Sequence, residues 1–196
     1  MTAVLAAHDW PTNGHMIADV ARLGYLAGSV LDVTYGEGGF WTQWRPQVLR
    51  TSDLYKPAEY QWDYKALPIP SGSFDAVVFD PPYKLSGTPA SPEMDARYGT
   101  GPEIRMNRAD RLEDIRLGAL ECWRVCREHL LVKCMDQVEG GRVRWQADMV
   151  TRAIEDVGGR KIDCFHFLGG AREQPAGRRQ LTARRNYSTL LVFEGP

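Results

Sequence analysis

Apolar and polar positions follow two rhythms along this chain. Short apolar runs bounded by turn residues alternate with longer stretches in which apolar residues recur at every third or fourth position. The short runs predict strands over Ser29–Thr34 (SVLDVT), Gln47–Ser52, Phe74–Phe79, His129–Cys134, Lys161–Leu168 and Tyr187–Phe193. The longer ones predict helices: one starting at Asn13-Gly14 with Met16, Val20 and Leu23 on one face, one over Ala109–Arg127, and one over Arg142–Val157. In the second of these, Leu112, Ile115, Ala119 and Trp123 share a face. Gly36–Trp44 reads as a turn entering a short helix that Pro46 stops. Strands alternating with helices predict an α/β sheet with crossover connections. Lys84–Asn107 and Gly169–Asn186 have no periodicity and are rich in Gly, Pro and Arg. Long loops of this kind in a compact domain are either functional or disordered.

Composition narrows the class. The 196 residues suit one domain, 1–196, with a sizeable core. No apolar run is long enough to span a bilayer and no basic-then-apolar leader opens the chain, so a cytoplasmic protein without membrane partners is expected. Cys122, Cys126, Cys134 and Cys164 lack the paired spacing of a zinc site, and reduced, buried thiols are expected. The histidines show no metal spacing either, so no catalytic metal is expected. A net charge of −1 argues against indiscriminate coating of nucleic acid. Within that neutral chain Arg172, Arg178, Arg179, Arg184 and Arg185 crowd together, with Glu173 as the one acid among them. Such a patch is either a solvated loop or a phosphate-binding one.

Two stretches carry candidate chemistry. In VLDVTYGEGGFW, Val30–Trp41, a strand runs into a loop with Gly36, Gly38 and Gly39. Glycines there permit a sharp turn and close approach of a ligand to the main chain. Asp32 inside the strand needs a donor, because a buried carboxylate without one is costly. The loop lacks the Lys and Ser/Thr of a P-loop, and Trp41 replaces the third glycine of the dinucleotide pattern. A nucleotide-like ligand without a pyrophosphate fits best. Asp53 ends the second strand, where an acid can accept from ribose hydroxyls, and Asp63 follows. Each alone reads as a turn residue; together, after a glycine loop, they read as ligand contacts. In FDAVVFDPPYKLSG, Phe74–Gly87, a buried strand ends in Asp80-Pro81-Pro82-Tyr83. Pro cannot donate to a sheet ladder, so the prolines stop the strand in any case.

With both stretches in place, the chain resembles the class I S-adenosylmethionine-dependent methyltransferases, and within them the amino-methylating DNA methyltransferases of the DPPY type. Asp32, Gly36 and Gly38 match the D-x-x-x-G-x-G loop, and Asp80–Tyr83 match the catalytic tetrapeptide. The resemblance implies a Rossmann-like, seven-stranded, mostly parallel sheet with an antiparallel edge hairpin and helices on both faces. It implies S-adenosylmethionine as cofactor, held by Asp32, Tyr35, Gly36, Gly38, Asp53 and Asp63, with Thr12 and Asn13 at its methionine end. It implies methyl transfer to adenine N6 in preference to cytosine N4 in DNA, with Asp80, Pro81, Pro82 and Tyr83 catalytic. The 53–63 interval is too short for the usual helix between those strands, and no separate target-recognition domain is expected. Recognition then falls to the loops 84–107 and 169–186, through Lys84, Arg105, Arg108, Arg178, Arg179, Arg184 and Arg185, or to a partner subunit. The alternatives are an RNA amine methyltransferase, a small-molecule methyltransferase, and an inactive methyltransferase-like binding subunit.

Overall fold

A computed structural model of the protein describes Leu5 and residues 10–82, 108–139, 141–169, 179–183 and 185–196. Helix α1 spans Asn13–Arg22, followed by β1 (Ser29–Asp32), one 3-10 turn (Gly39–Trp41), β2 (Val48–Thr51) and β3 (Phe74–Phe79). Then come α2 (Arg108–Val125), β4 (Cys126–Cys134), β5 (Gln137–Glu139), β6 (Arg142–Arg144), α3 (Gln146–Glu155), β7 (Arg160–Leu168) and β8 (Tyr187–Glu194). The main sheet has the order β2-β1-β3-β4-β8-β7. β2, β1, β3 and β4 pair in parallel, while β8 runs antiparallel to both β4 and β7. Among the described residues this sheet has six strands rather than the expected seven.

Strand alternation divides the core between two faces. On one face Leu31, Val77, Phe79, Leu130 and Val132 pack with Ile115, Ala119 and Trp123 of α2 and with Val150 and Ile154 of α3. On the other, Val30, Ala76, Val78 and Leu131 pack with Met16, Ile17 and Val20 of α1 and with Phe40 and Trp41 of the 3-10 turn. The result is a three-layer α/β/α arrangement. α2 lies close to β3 because Gly118 has no side chain. A Cβ there would come within 2.6 Å of Phe79 Cζ.

Several boundaries differ from the sequence expectation. β1 stops at Asp32 rather than Thr34: Val33 N–H makes the last ladder bond to Val78 O, and the Thr34 amide turns back to the Asp32 carboxylate. Gly36–Trp44 is a turn entering a short helix as expected, the turn made by Gly36 and Gly38 with φ of 56° and 72° and the helix a single 3-10 turn over Gly39–Trp41. The helix expected over Arg142–Val157 loses its first residues to β6, which pairs with β5 in a separate ribbon. Leu23, expected on the buried face of α1, is its C-cap and is 45% exposed. Cys122, Cys126 and Cys134 are buried thiols, whereas Cys164 is exposed on β7.

No helix intervenes between Asp53 and Asp63, as the short interval requires. The chain instead folds back on β2. Tyr60 N–H donates to Thr51 O, Asp53 N–H donates to Tyr60 O, and Trp62 N–H donates to Ser52 Oγ. The Tyr60 and Trp62 rings stack at 4.0 Å. Further on, Arg124 of α2 donates to Ile69 O at 2.9 Å and to Leu67 O at 3.1 Å, fixing the approach to β3. Among the described residues no helix is long and apolar enough to cross a membrane.

Candidate active site

The carboxyl ends of β1, β2 and β3 open into one cleft of about 290 Å³. Open α/β sheets bind ligands at this end of their strands. Of the residues singled out in the sequence, Asn13, Asp32, Tyr35, Gly36, Asp53, Asp63, Asp80 and Pro82 all line it. Pro81 is buried beside them. Gly38 lies beneath the loop: its N–H donates to Tyr35 O, and a Cβ there would come within 2.6 Å of the Tyr35 hydroxyl. Thr12 caps α1, its carbonyl accepting from His15 and Met16, and does not line the cleft. Tyr83, Lys84, Arg105, Arg178 and Arg184, the loop 84–107 and most of 169–186 lie outside the described residues, and Arg108 is placed only as the first residue of α2.

Asp32 is the last residue of β1 and only 3% exposed. Its Oδ2 accepts from Trp41 Nε1 at 2.7 Å and its Oδ1 from the Thr34 amide at 3.0 Å. Burial pushes its carboxyl up to about 7 despite these two donors, which pull the other way. The residue that breaks the dinucleotide pattern, Trp41, is therefore the partner that makes a buried Asp32 tolerable. The two acids read as ligand contacts are both held in turns. Asp53 Oδ1 accepts the amides of Tyr55 and Lys56 while Oδ2 accepts the amide of Gly36 at 2.9 Å, tying the glycine loop to β2. Asp63 Oδ1 accepts the Lys65 amide. Both are turn residues, and both line the cleft.

Asp80 follows β3 directly. Its amide donates to Thr34 Oγ1 at 2.7 Å, so β1 and β3 hold it jointly. Its Oδ2 lies 3.5 Å from Lys133 Nζ, and its Oδ1 is buried without a hydrogen-bond partner among the described residues. Burial raises its carboxyl above the usual range, and Lys133 opposes the rise. Asn13 Oδ1, which also lines the cleft, is likewise a buried acceptor without a partner among the described residues. Native proteins rarely leave such atoms unsatisfied, and each calls for an explanation. A ligand that presents donors to both would supply one.

The far wall of the cleft was not legible in the sequence. Asp114 of α2 accepts from the Tyr64 hydroxyl and pairs with Lys65 Nζ at 2.6 Å, while Arg111 lies 4.0 Å away. Burial raises the Tyr64 phenol, and the Asp114 hydrogen bond raises Lys65. No motif marks these four residues. Lys133 did leave a signal, as the one charge in the apolar run LLVKC. Among the described residues no group of His, Cys, Asp or Glu could hold a metal ion.

No protein-family model matches the sequence, and no curated protein matches it. Solved structures do match. An S-adenosylmethionine-dependent methyltransferase from Methanosarcina mazei aligns with a TM-score of 0.51 at 9% identity, covering 89% of this chain and 96% of that one. Magnesium protoporphyrin IX methyltransferase from Synechocystis PCC 6803, with bound SAH, aligns with a TM-score of 0.55 at 12% identity, covering 94% and 81%. A candidate DNA modification methylase from Thermus thermophilus aligns at 16% identity over 68% of this chain, with a TM-score of 0.44; the chain spans about half of its length, 50%. The fold is thus that of the Rossmann-like S-adenosylmethionine-dependent methyltransferases, mostly parallel with an antiparallel edge.

Proposed function

We infer that the chain is an S-adenosylmethionine-dependent DNA methyltransferase acting on the exocyclic amine of a base flipped out of the helix, adenine N6 ahead of cytosine N4. The observation that carries this reading is Asp80, a rigidly held carboxylate at the cleft whose Oδ1 has no partner among the described residues. The cleft suits the cofactor chemically. It offers acceptors (Asp53, Asp63 and the Asn13 amide oxygen), as a cationic ligand with ribose hydroxyls requires. Bound there, S-adenosylmethionine supplies an electrophilic methyl group on a sulfonium sulfur. Asn13 would face its polar end, Gly36 would let it approach the main chain, and Asp53 and Asp63 would meet its nucleoside.

An exocyclic amine on a base is a weak nucleophile, because its lone pair is delocalised into the ring. Asp80 Oδ1 accepts one amine N–H and the Pro81 carbonyl the other, which orients the lone pair and stabilises the positive charge developing on nitrogen. Two prolines hold these acceptors stiffly. Tyr83 offers the face on which the flipped base stacks, offsetting part of the cost of unstacking it. Arg179 and Arg185, with the other basic residues of the two loops, meet the phosphates.

The decisive experiment supplies methyl-labelled S-adenosylmethionine with DNA, with RNA, or with neither, and identifies the labelled nucleoside after digestion. N6-methyladenosine is expected in the DNA arm as its deoxy form. Label confined to RNA, or none in either nucleic acid, overturns the reading.

A further inference from the structure

Asp32, Asp80 and Lys133 share one face of the sheet, near the carboxyl ends of β1, β3 and β4. Alternation places Asp32 on the same face as Val30, Asp80 on the face of Val78, and Lys133 on the face of Leu131, and those three apolar residues share one core cluster. Phe79 pairs with Val132, so Asp80 and Lys133 are the next neighbours along two adjacent parallel strands. At its carboxyl edge, therefore, the α1 face of the sheet changes from apolar to charged. The 3-10 turn covers the change: Trp41 donates to Asp32, and Phe40 presents its ring 5.5 Å from Lys133 Nζ.

Lys133 is 2% exposed. A lysine is almost never buried so deeply without a compensating partner. Among the described residues it meets the Asp80 carboxylate, through Oδ2, while Oδ1 stays buried with no partner there. We propose that Lys133 is the positioning residue of this site: it fixes the Asp80 carboxylate by one oxygen, keeps it ionised, and leaves Oδ1 as the oxygen that receives a substrate N–H. This rests on the reading of Asp80 as the amine acceptor. It adds what the tetrapeptide cannot supply, a reason why Asp80 is a carboxylate rather than a carboxylic acid in a buried site, and a choice between its two oxygens. A protonated Asp80 would present a donor where an acceptor is needed. The ionisable groups that face Asp80 among the described residues are Lys133 of β4, Asp32 of β1 and the Cys134 thiol. Of these, Lys133 alone favours the carboxylate.

The test compares Lys133→Met, Lys133→Arg, Asp80→Asn and the double variant Asp80→Asn/Lys133→Met, in thermal unfolding and in methyl transfer. Unfolding needs no knowledge of the substrate. Asp80→Asn should lower Tm, and adding Lys133→Met should recover part of the loss; strictly additive changes in Tm would overturn the proposal. In methyl transfer, Lys133→Met should lower kcat by roughly 10–100-fold, the scale typical of partners that orient site residues, with cofactor affinity unchanged. The acid limb of its pH profile should move to higher pH, and Lys133→Arg should restore both. Lys133→Met with wild-type kcat and an unmoved acid limb would also overturn it. Coupled Tm values in a protein that methylates neither nucleic acid would uphold the pair and overturn the proposed function instead.

Discussion

Trp41 Nε1 donates to Asp32 Oδ2 at 2.7 Å where the acid retains only 3% exposure. Burial outweighs this bond and raises the carboxyl to about 7, from an unfolded value of 3.8. Protonated Asp32 thus contributes stability that is complete below about pH 4 and is lost as pH rises through about 7. One proton held by the folded state alone gives a slope of about 1.4 kcal/mol per pH unit within that window. Urea unfolding at a series of pH values should show this fall in the wild type and a flatter profile in Asp32→Asn. Parallel profiles would mean that Asp32 is ionised throughout.

Gly36 and Gly38 both hold positive φ, so alanine at either position is strained by about 1–2 kcal/mol. Their surroundings differ. A Cβ at Gly36 meets nothing closer than Thr34 O at 3.9 Å, whereas one at Gly38 meets the Tyr35 hydroxyl at 2.6 Å. Calorimetry with S-adenosylhomocysteine should find Gly38→Ala weakened well beyond Gly36→Ala. The reverse order would show that Tyr35 yields without cost.

Arg124 spends its donors on two carbonyls, Leu67 O and Ile69 O, and on Glu121, which itself accepts the Leu67 amide at 2.8 Å. Only a planar fork can serve all of them at once. Arg124→Lys should destabilise the protein by about 1–3 kcal/mol, measured by urea unfolding. A lysine variant as stable as wild type would show that the segment before β3 holds itself.

The guanidinium of Arg185 lies 4.9 Å over the ring of Trp145, itself 49% exposed. Two acids that could have tied down an arginine loop are engaged elsewhere, Glu113 with Arg116 and Asp114 with Lys65. If Arg179 and Arg185 meet phosphates, replacing both with Ala should flatten the salt dependence of DNA binding by roughly two units and weaken all sequences alike. An unchanged slope with a lowered Tm would make Arg185 a packing residue of Trp145.

The sheet was legible where burial alone decides it. β3 runs over Phe74–Phe79 as read, because an apolar strand ends at a residue followed by Pro81 and Pro82. β5 and β6 were not legible: Arg142–Arg144 lies within a run of helical period, and only pairing with Gln137–Glu139 draws it into a ribbon. The candidate site was legible in its acids and glycines, since those depart visibly from strand and helix patterns. Its partners were hidden for a physical reason. Lys133 showed only as a charge in an apolar run; its meeting with Asp80, like those of Thr34 with Asp80 and Asp114 with Tyr64, joins residues distant along the chain, and no local rhythm records such a contact.

The place of β8 bears on how the molecule assembles. β8 sits between β4 and β7, and among the described residues β7 joins the main sheet only through it. β7 nevertheless comes first in the chain. During synthesis the parallel half of the sheet can therefore form while the inner edge of β4, Leu130–Lys133, is still open. An apolar strand edge of that kind pairs readily with other chains. β8 closes that edge by pairing antiparallel with β4, which sets Leu190 opposite Lys133. The nascent sheet thus sheds its sticky edge in the same step that seals Lys133 beside Asp80, so a molecule that has escaped aggregation by this route also has its candidate site in place.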